Sequence, residues 1–137
     1  MSNVNQMTLN YGKEKKKRMT ILTDVLAFLP TTTEDVTSND AFKKNIILHI
    51  QTALSTLHQN GVGTQVDIFD DENIEWQTFF GEQFDNKLGQ AQAKQYVYLK
   101  VQLLFDTPQP GTVTIMEKAM DEALWRSRLE FDIEDTT

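Results

Sequence analysis

Apolar residues recur at intervals of three and four along much of the chain, the spacing of one helix face. This pattern predicts a short helix over residues 21–29, which stops before a proline. It also predicts a longer helix over residues 40–60, whose apolar stripe steps through every turn. Asn39 or Asp40 is suited to cap the start of this second helix, and Gly61 to cap its end.

Two more segments continue the helical pattern. Residues 76–80 form one amphipathic turn closed by a glycine. Residues 85–105 are ambiguous, because the spacing is helical whereas Tyr96, Val97 and Tyr98 favour a strand. We predict a helix, since strands usually run about five or six residues. Its second half is apolar nearly all round, as expected for the buried centre of a bundle.

A last helix follows the Pro-Gln-Pro-Gly turn at residues 108–111. Thr112 or Thr114 is expected to cap it, and it is expected to fade near Leu129. Its inward face is predicted to comprise Met116, Met120, Ala123, Leu124 and Ser127.

The end of the chain, residues 129–135, alternates apolar and acidic residues with a period of two. If it is extended, Leu129, Phe131 and Ile133 share one side and suit pairing with another subunit or protein. The alternative is a frayed tail whose Phe131 folds back on the body. Both interpretations stay open at this point.

The predicted fold is therefore all-α. It is a small bundle of about four helices with an acidic loop at residues 67–75, an extended N-terminal arm and an extended C-terminal tail. The expected organisation is an arm at residues 1–18, a helical domain at 19–128 and a tail at 129–137. A chain of 137 residues is large enough to bury one core without disulfides or metals.

Charge and cysteine content limit the classes of function that are consistent with this chain. Residues 1–30 carry five basic and two acidic side chains, while the rest carries eight basic and eighteen acidic ones. This excess of acidic residues after residue 30 argues against a protein that wraps DNA tightly. The absence of cysteine fits a reducing cytoplasm, and no apolar run is long enough to span a membrane.

The sequence offers little chemistry. His49 and His58 are two and a half helical turns apart and face nearly opposite directions, so they do not share a metal. The acidic loop lacks calcium-loop spacing, and Gly61-Val-Gly63 lacks the remainder of a phosphate-binding motif. We therefore predict no catalytic residue, no metal site and no cofactor.

Trp125 beside Arg126 and Arg128 points instead to an assembly surface, because Trp and Arg concentrate binding energy at interfaces. With the tail residues this gives a candidate interface with another subunit or protein, formed by Trp125, Arg126, Arg128, Leu129, Phe131 and Ile133. The basic run of the arm, Lys15, Lys16, Lys17 and Arg18, fits either contact with nucleic acid or an acidic partner surface, or a solvated tail, and both interpretations stay open.

Several blocks, in this order, resemble the head–tail connector (adaptor) family of tailed bacteriophages. They are Met19-Thr-Ile-Leu-Thr-Asp-Val25, Leu54-Ser-Thr-Leu-His-Gln-Asn-Gly-Val-Gly63, Trp76-Gln-Thr-Phe-Phe80, Tyr96-Val-Tyr-Leu-Lys-Val-Gln-Leu-Leu-Phe-Asp-Thr-Pro108 and Glu122-Ala-Leu-Trp-Arg126. The resemblance covers about residues 19–128. The family's usual Asp-Pro-Pro is Asp106-Thr-Pro108 here, so the resemblance is weaker at that turn.

The resemblance implies a non-enzymatic structural protein of the virion neck. Such a protein binds beneath the portal as a ring of about twelve subunits, extends the DNA channel without binding DNA specifically, and meets the next neck or tail-completion (stopper) protein. It implies a virion location, with the host cytoplasm as the site of assembly, and no membrane partner. The alternatives are another neck or tail-completion protein, or a small helical module that binds nucleic acid through its basic arm.

Overall fold

The computed structural model describes residues 19–29 and 39–135, and this part of the chain folds as five α-helices without a strand. They are α1 (Ile21–Ala27), α2 (Asp40–Gln59), α3 (Trp76–Phe80), α4 (Lys87–Phe105) and α5 (Pro110–Asp135). The predicted all-α bundle is confirmed. Residues 1–18, and with them the predicted extended arm, lie outside the described part.

Polar side chains at the helix starts explain where α1, α2 and α4 begin. Thr20 Oγ1 accepts a hydrogen bond from the amide of Thr23 at 3.3 Å, and Asn39 Oδ1 accepts one from Phe42 at 3.1 Å. Asn86 Oδ1 likewise accepts from the amide of Gly89 at 3.1 Å. These bonds satisfy backbone donors that the first turn of a helix leaves without partners. Of the two expected caps of α2, the structure uses Asn39.

The loop after α2 is held by a glycine turn and by hydrogen bonds from a side chain of α2. Gly61 adopts a φ of 85°, and the amide of buried Val62 bonds to Leu57 O at 2.9 Å. Farther on, Gln51 Nε2 donates to Val66 O at 3.0 Å, and Gln51 Oε1 accepts from the amide of Ile68 at 2.9 Å. The amide side chain thus takes the place of a neighbouring strand.

Helices α4 and α5 form an antiparallel hairpin across a short connection. Asn86 Nδ2, at the start of α4, bonds to Glu130 Oε2 near the end of α5 at 2.7 Å. A Cβ on Gly89 would lie 3.0 Å from Cβ of Glu130, so glycine permits this close approach.

Both ends of α5 differ from the sequence prediction. The helix begins at Pro110, before either expected threonine cap, because proline has the right φ for a first helical turn and needs no amide partner there. It continues to Asp135, so the prediction of an extended C-terminal tail is wrong. The stripe Met120, Ala123, Ser127 and Phe131 explains the continuation, since all four are buried at helical spacing.

The core gathers apolar side chains from every helix around the middle of α4. Tyr96, Val97 and Val101 are buried there, as the sequence predicts, but Leu104 remains exposed near the C-terminal end. The fully buried large side chains are Phe79, Ile21, Ile46, Ile50, Leu54, Leu57, Ile68, Val25, Val62, Val97 and Val101. No helix of the described ranges is long and apolar enough to cross a bilayer.

Candidate assembly interface

The outward side of α5 carries large apolar side chains where a surface helix is normally polar. Trp125 is 59 % exposed and Leu129, one turn later, is 42 % exposed. Arg126 and Arg128 are also exposed on these turns. The structure therefore brings four of the six sequence-predicted interface residues to the surface of one helix segment.

A shallow groove adjoins this segment, between the start of α4 and the end of α5. Its volume is about 270 Å³, and it is lined by Leu88, Gln92, Arg126, Leu129 and Glu130. Arg126 forms an ion pair with Glu122 one turn earlier in α5. Leu88 is 56 % exposed and was not among the interface residues predicted from the sequence.

Phe131 does not belong to this surface. It is only 7 % exposed, and its ring stacks on Phe84 with centroids 4.1 Å apart and planes 13° apart. The alternation of residues 129–133 suggested that Leu129 and Phe131 share a side, but in a helix two residues apart they point in very different directions. Ile133 lies in α5, and its side chain is outside the described residues.

The buried position of Phe131 also changes what a truncation does. An extended tail at residues 129–137, as predicted from the sequence, would be dispensable for folding. A chain lacking these residues would lose the stacked Phe131 and the Glu130 oxygen that accepts from Asn86. Truncation would therefore disturb the core as well as the surface, and single surface substitutions are the cleaner probes.

The basic run Lys15–Arg18 precedes the described residues, but its attachment point is well defined. The amide of Trp76 donates to Met19 O at 3.3 Å, and the amide of Ile21 donates to Ile74 O at 3.0 Å. Thr20 and Glu75 form an isolated antiparallel bridge between them. Met19, the first described residue after the basic run, therefore lies beside the start of α3.

A partly buried polar cluster fixes this attachment point. Asp24 Oδ2 accepts hydrogen bonds from Trp76 Nε1 at 2.7 Å and from the hydroxyl of Tyr98. Phe28 stacks on the Tyr98 ring with a centroid distance of 3.9 Å. Burial, then the Asp24 hydrogen bond and charge, raise the pKa of Tyr98 above its ordinary value of 10.0. The cluster joins α1, α3 and α4, so Trp76 is a core residue.

The acidic loop is organised by hydrogen bonds from its backbone amides to its own aspartate side chains. Asp67 Oδ1 accepts from the amides of Phe69 and Asp70, and Asp71 Oδ1 accepts from Asn73 at 2.9 Å. Glu72 forms a 2.6 Å ion pair with Lys43 of α2. Within the described ranges, no group of three or more His, Cys, Asp or Glu residues is arranged to hold a metal ion.

The two histidines have separate surroundings on α2. His58 Nδ1 lies 3.1 Å from Gly63 O. His49 lines a separate groove of about 180 Å³ with Phe42, Asn45, Leu104 and Phe105, and partial burial lowers its pKa. Neither hydrogen-bonds a serine or a carboxylate among the contacts of the described residues, so a base-activated nucleophile is not formed there.

The sequence model of a family described as phage connector protein matches residues 21–134, most of the chain. The chain belongs to the phage connector family. This confirms the resemblance drawn from the sequence blocks, and it identifies a structural rather than an enzymatic family of the phage particle. Comparison with curated proteins and with solved structures found no match. The connector thus carries its exposed Trp125 surface on α5, within the matched range.

Proposed function

We propose that this connector docks beneath the portal at the capsid vertex and joins the DNA-filled head to the tail. In this proposal the chain forms a ring of about twelve subunits that continues the DNA channel. The next neck or tail-completion protein binds the other side of the ring. The match of residues 21–134 to the phage connector family is the observation that carries the proposal.

The outward surface of α5 supports this role. Trp125, Arg126, Arg128 and Leu129 combine a large aromatic, an aliphatic and two guanidinium groups on neighbouring turns. Such a combination is typical of residues that dominate binding energy at protein interfaces. We assign these four to contact with the portal or a neighbouring subunit and retain Ile133 as a further candidate. Phe131 is reassigned to packing of the free chain.

Charge supports passage of DNA rather than its retention. The net charge is −7, and residues 31–137 hold eighteen acidic and eight basic side chains. Carboxylates repel phosphates, so an acidic channel wall lets a duplex move without adhering. We further propose that Lys15, Lys16, Lys17 and Arg18 bind an acidic surface of the portal or of an adjacent subunit.

The test uses DNA-filled, portal-bearing heads that lack this protein. Added connector should co-sediment with the heads, appear below the portal in negative stain and restore tail attachment. Trp125→Ala combined with Arg128→Ala should reduce binding at least tenfold, since each substitution removes an interface side chain. Leu48→Ala, which truncates an exposed apolar residue on α2, is the matched control and should bind normally.

Three results would overturn parts of this proposal. Failure of the unmodified chain to bind portal-bearing heads, with binding to another neck protein instead, would assign it to a different position in the neck. Salt-dependent binding to free duplex near physiological salt would favour the nucleic-acid module. Unchanged ring assembly after replacing all four basic arm residues with Ala would remove the proposed role of the arm.

A further inference from the structure

The outer face of α5 carries a continuous stripe that the intramolecular fold leaves open. Its members alternate at intervals of four and three and are all exposed: Gly111, Ile115, Lys118, Glu122, Trp125 and Leu129. Ile115 is 69 % exposed, the highest value among the large apolar residues that are exposed in the described ranges. Met120, Ala123 and Ser127 face the opposite way, into the bundle.

An average spacing of three and a half residues is the repeat with which one helix packs along another. A solvent-facing side of a helix is normally polar, so two large apolar side chains and a leucine on this stripe indicate a missing helical neighbour. The question is which helix supplies the complementary residues.

The stripe is complementary to itself when two copies run antiparallel. With a two-fold axis at the level of Met120, Lys118 faces Glu122 of a second copy, and Ile115 faces its Trp125. Each pairing occurs twice, so the charges match and the apolar groups meet. In the same register the smallest member, Gly111, faces Leu129, and nothing in the chain lies within 4 Å of a Cβ placed on that glycine.

We propose that the free protein forms an antiparallel homodimer through the outer stripe of α5. The overlap from Gly111 to Leu129 is about 27 Å long, at about 1.5 Å per residue. A two-fold contact of this kind is closed and uses the same surface on both chains. In the dimer Glu122 lies between Arg126 of its own chain and Lys118 of the second chain. The contact with Lys118 therefore adds to the ion pair that Glu122 already forms with Arg126.

The dimer itself does not depend on the role in the neck. One consequence does rest on the proposed function: the dimer covers Trp125 and Leu129, so the two chains must separate before these residues meet the portal. The homodimer therefore keeps the free chain from assembling away from the head.

Sedimentation equilibrium of the purified chain alone tests the proposal. At about 100 μM, a dimer with a Kd of about 1 μM would be almost fully formed. The unmodified chain should reach twice its mass of 15.8 kDa. Lys118→Glu places like charges opposite each other twice and should raise Kd about tenfold or more. Adding Glu122→Lys should restore the dimer, because the exchanged charges again face opposite charges.

Lys44→Glu, the same charge change at an exposed position of α2, is the matched control and should remain dimeric. Trp125→Ala should weaken the dimer, and circular dichroism should show that every variant stays helical. A monomeric unmodified chain, or a Lys118→Glu variant that dimerises normally, overturns the proposal. Weakening by Lys118→Glu without rescue by Glu122→Lys overturns the antiparallel register.

Discussion

Replacing Phe131 with alanine should destabilise the connector far more than the same change at Leu129. Both residues belong to the apolar–acidic alternation at the end of the chain, and both lie in α5. Alanine is a good helix former, so neither substitution should weaken the helix itself. The difference in stability between the two variants therefore reflects the contacts that each side chain makes.

The expected magnitudes follow from burial. Phe131 is almost fully buried against Phe84 and lies 5.9 Å, between ring centroids, from Phe80. Removing a buried Phe costs about 3–5 kcal/mol, and the lower end applies here because the end of a helix relaxes around a cavity. Leu129 keeps much of its surface in water, so its truncation should cost about 1 kcal/mol or less.

Urea unfolding followed by circular dichroism measures both values, and the slope shows whether the unfolded surface has changed. Several protein concentrations separate association from folding. A loss of about 3 kcal/mol should lower Tm by about 10–15 °C in a chain of this size. Equal effects of the two substitutions would refute the reasoning, because residues on one side of an extended tail lose similar contacts.

Three further predictions concern the loop and the polar cluster. Gly63→Ala should lower the free energy of unfolding by about 3 kcal/mol, since φ is 80° and a Cβ would enter the Phe79 ring. Gly61→Ala should lower it by only about 1 kcal/mol, because a Cβ there meets open space. Equal losses of Tm in the two variants would contradict this reasoning. Gln51→Leu should speed hydrogen exchange at the Ile68 amide, and unchanged protection would show that the loop does not need the side chain. The pKa of Tyr98 is raised in the folded state, so above about pH 10 the unfolded chain loses this proton more readily and stability should fall as the pH rises. Tyr98→Phe should lessen this loss of stability in unfolding curves measured at alkaline pH. An unaltered pH dependence would contradict the assignment.

Local patterns were sufficient to predict the helices, because periodicity and caps act within a few residues. Asn39, Gly61 and the apolar stripe of α2 each mark that helix in the sequence itself. The end of α5 was mispredicted because a period of two dominates residues 129–133. The longer stripe through Ser127 to Phe131 was the signal that indicated a continuing helix.

Contacts between distant parts of the chain could not be predicted in this way. Asp24 bonds to Trp76 and Tyr98, which are 52 and 74 residues away in sequence. No spacing rule links such positions, since their proximity depends on how the helices pack. The sequence could not show that Trp125 is exposed, and its interface role stays a prediction. The location of Leu88 beside Leu129 required the α4–α5 hairpin.

The proposed function places this chain in the neck between portal and tail. A localised cryo-electron microscopy reconstruction of the neck of tailed particles would show whether the chain lies there. We expect a ring of five-helix subunits directly below the portal, with Trp125 of α5 in a contact between proteins. Density for this fold elsewhere in the particle, or a neck without it, would contradict the claim.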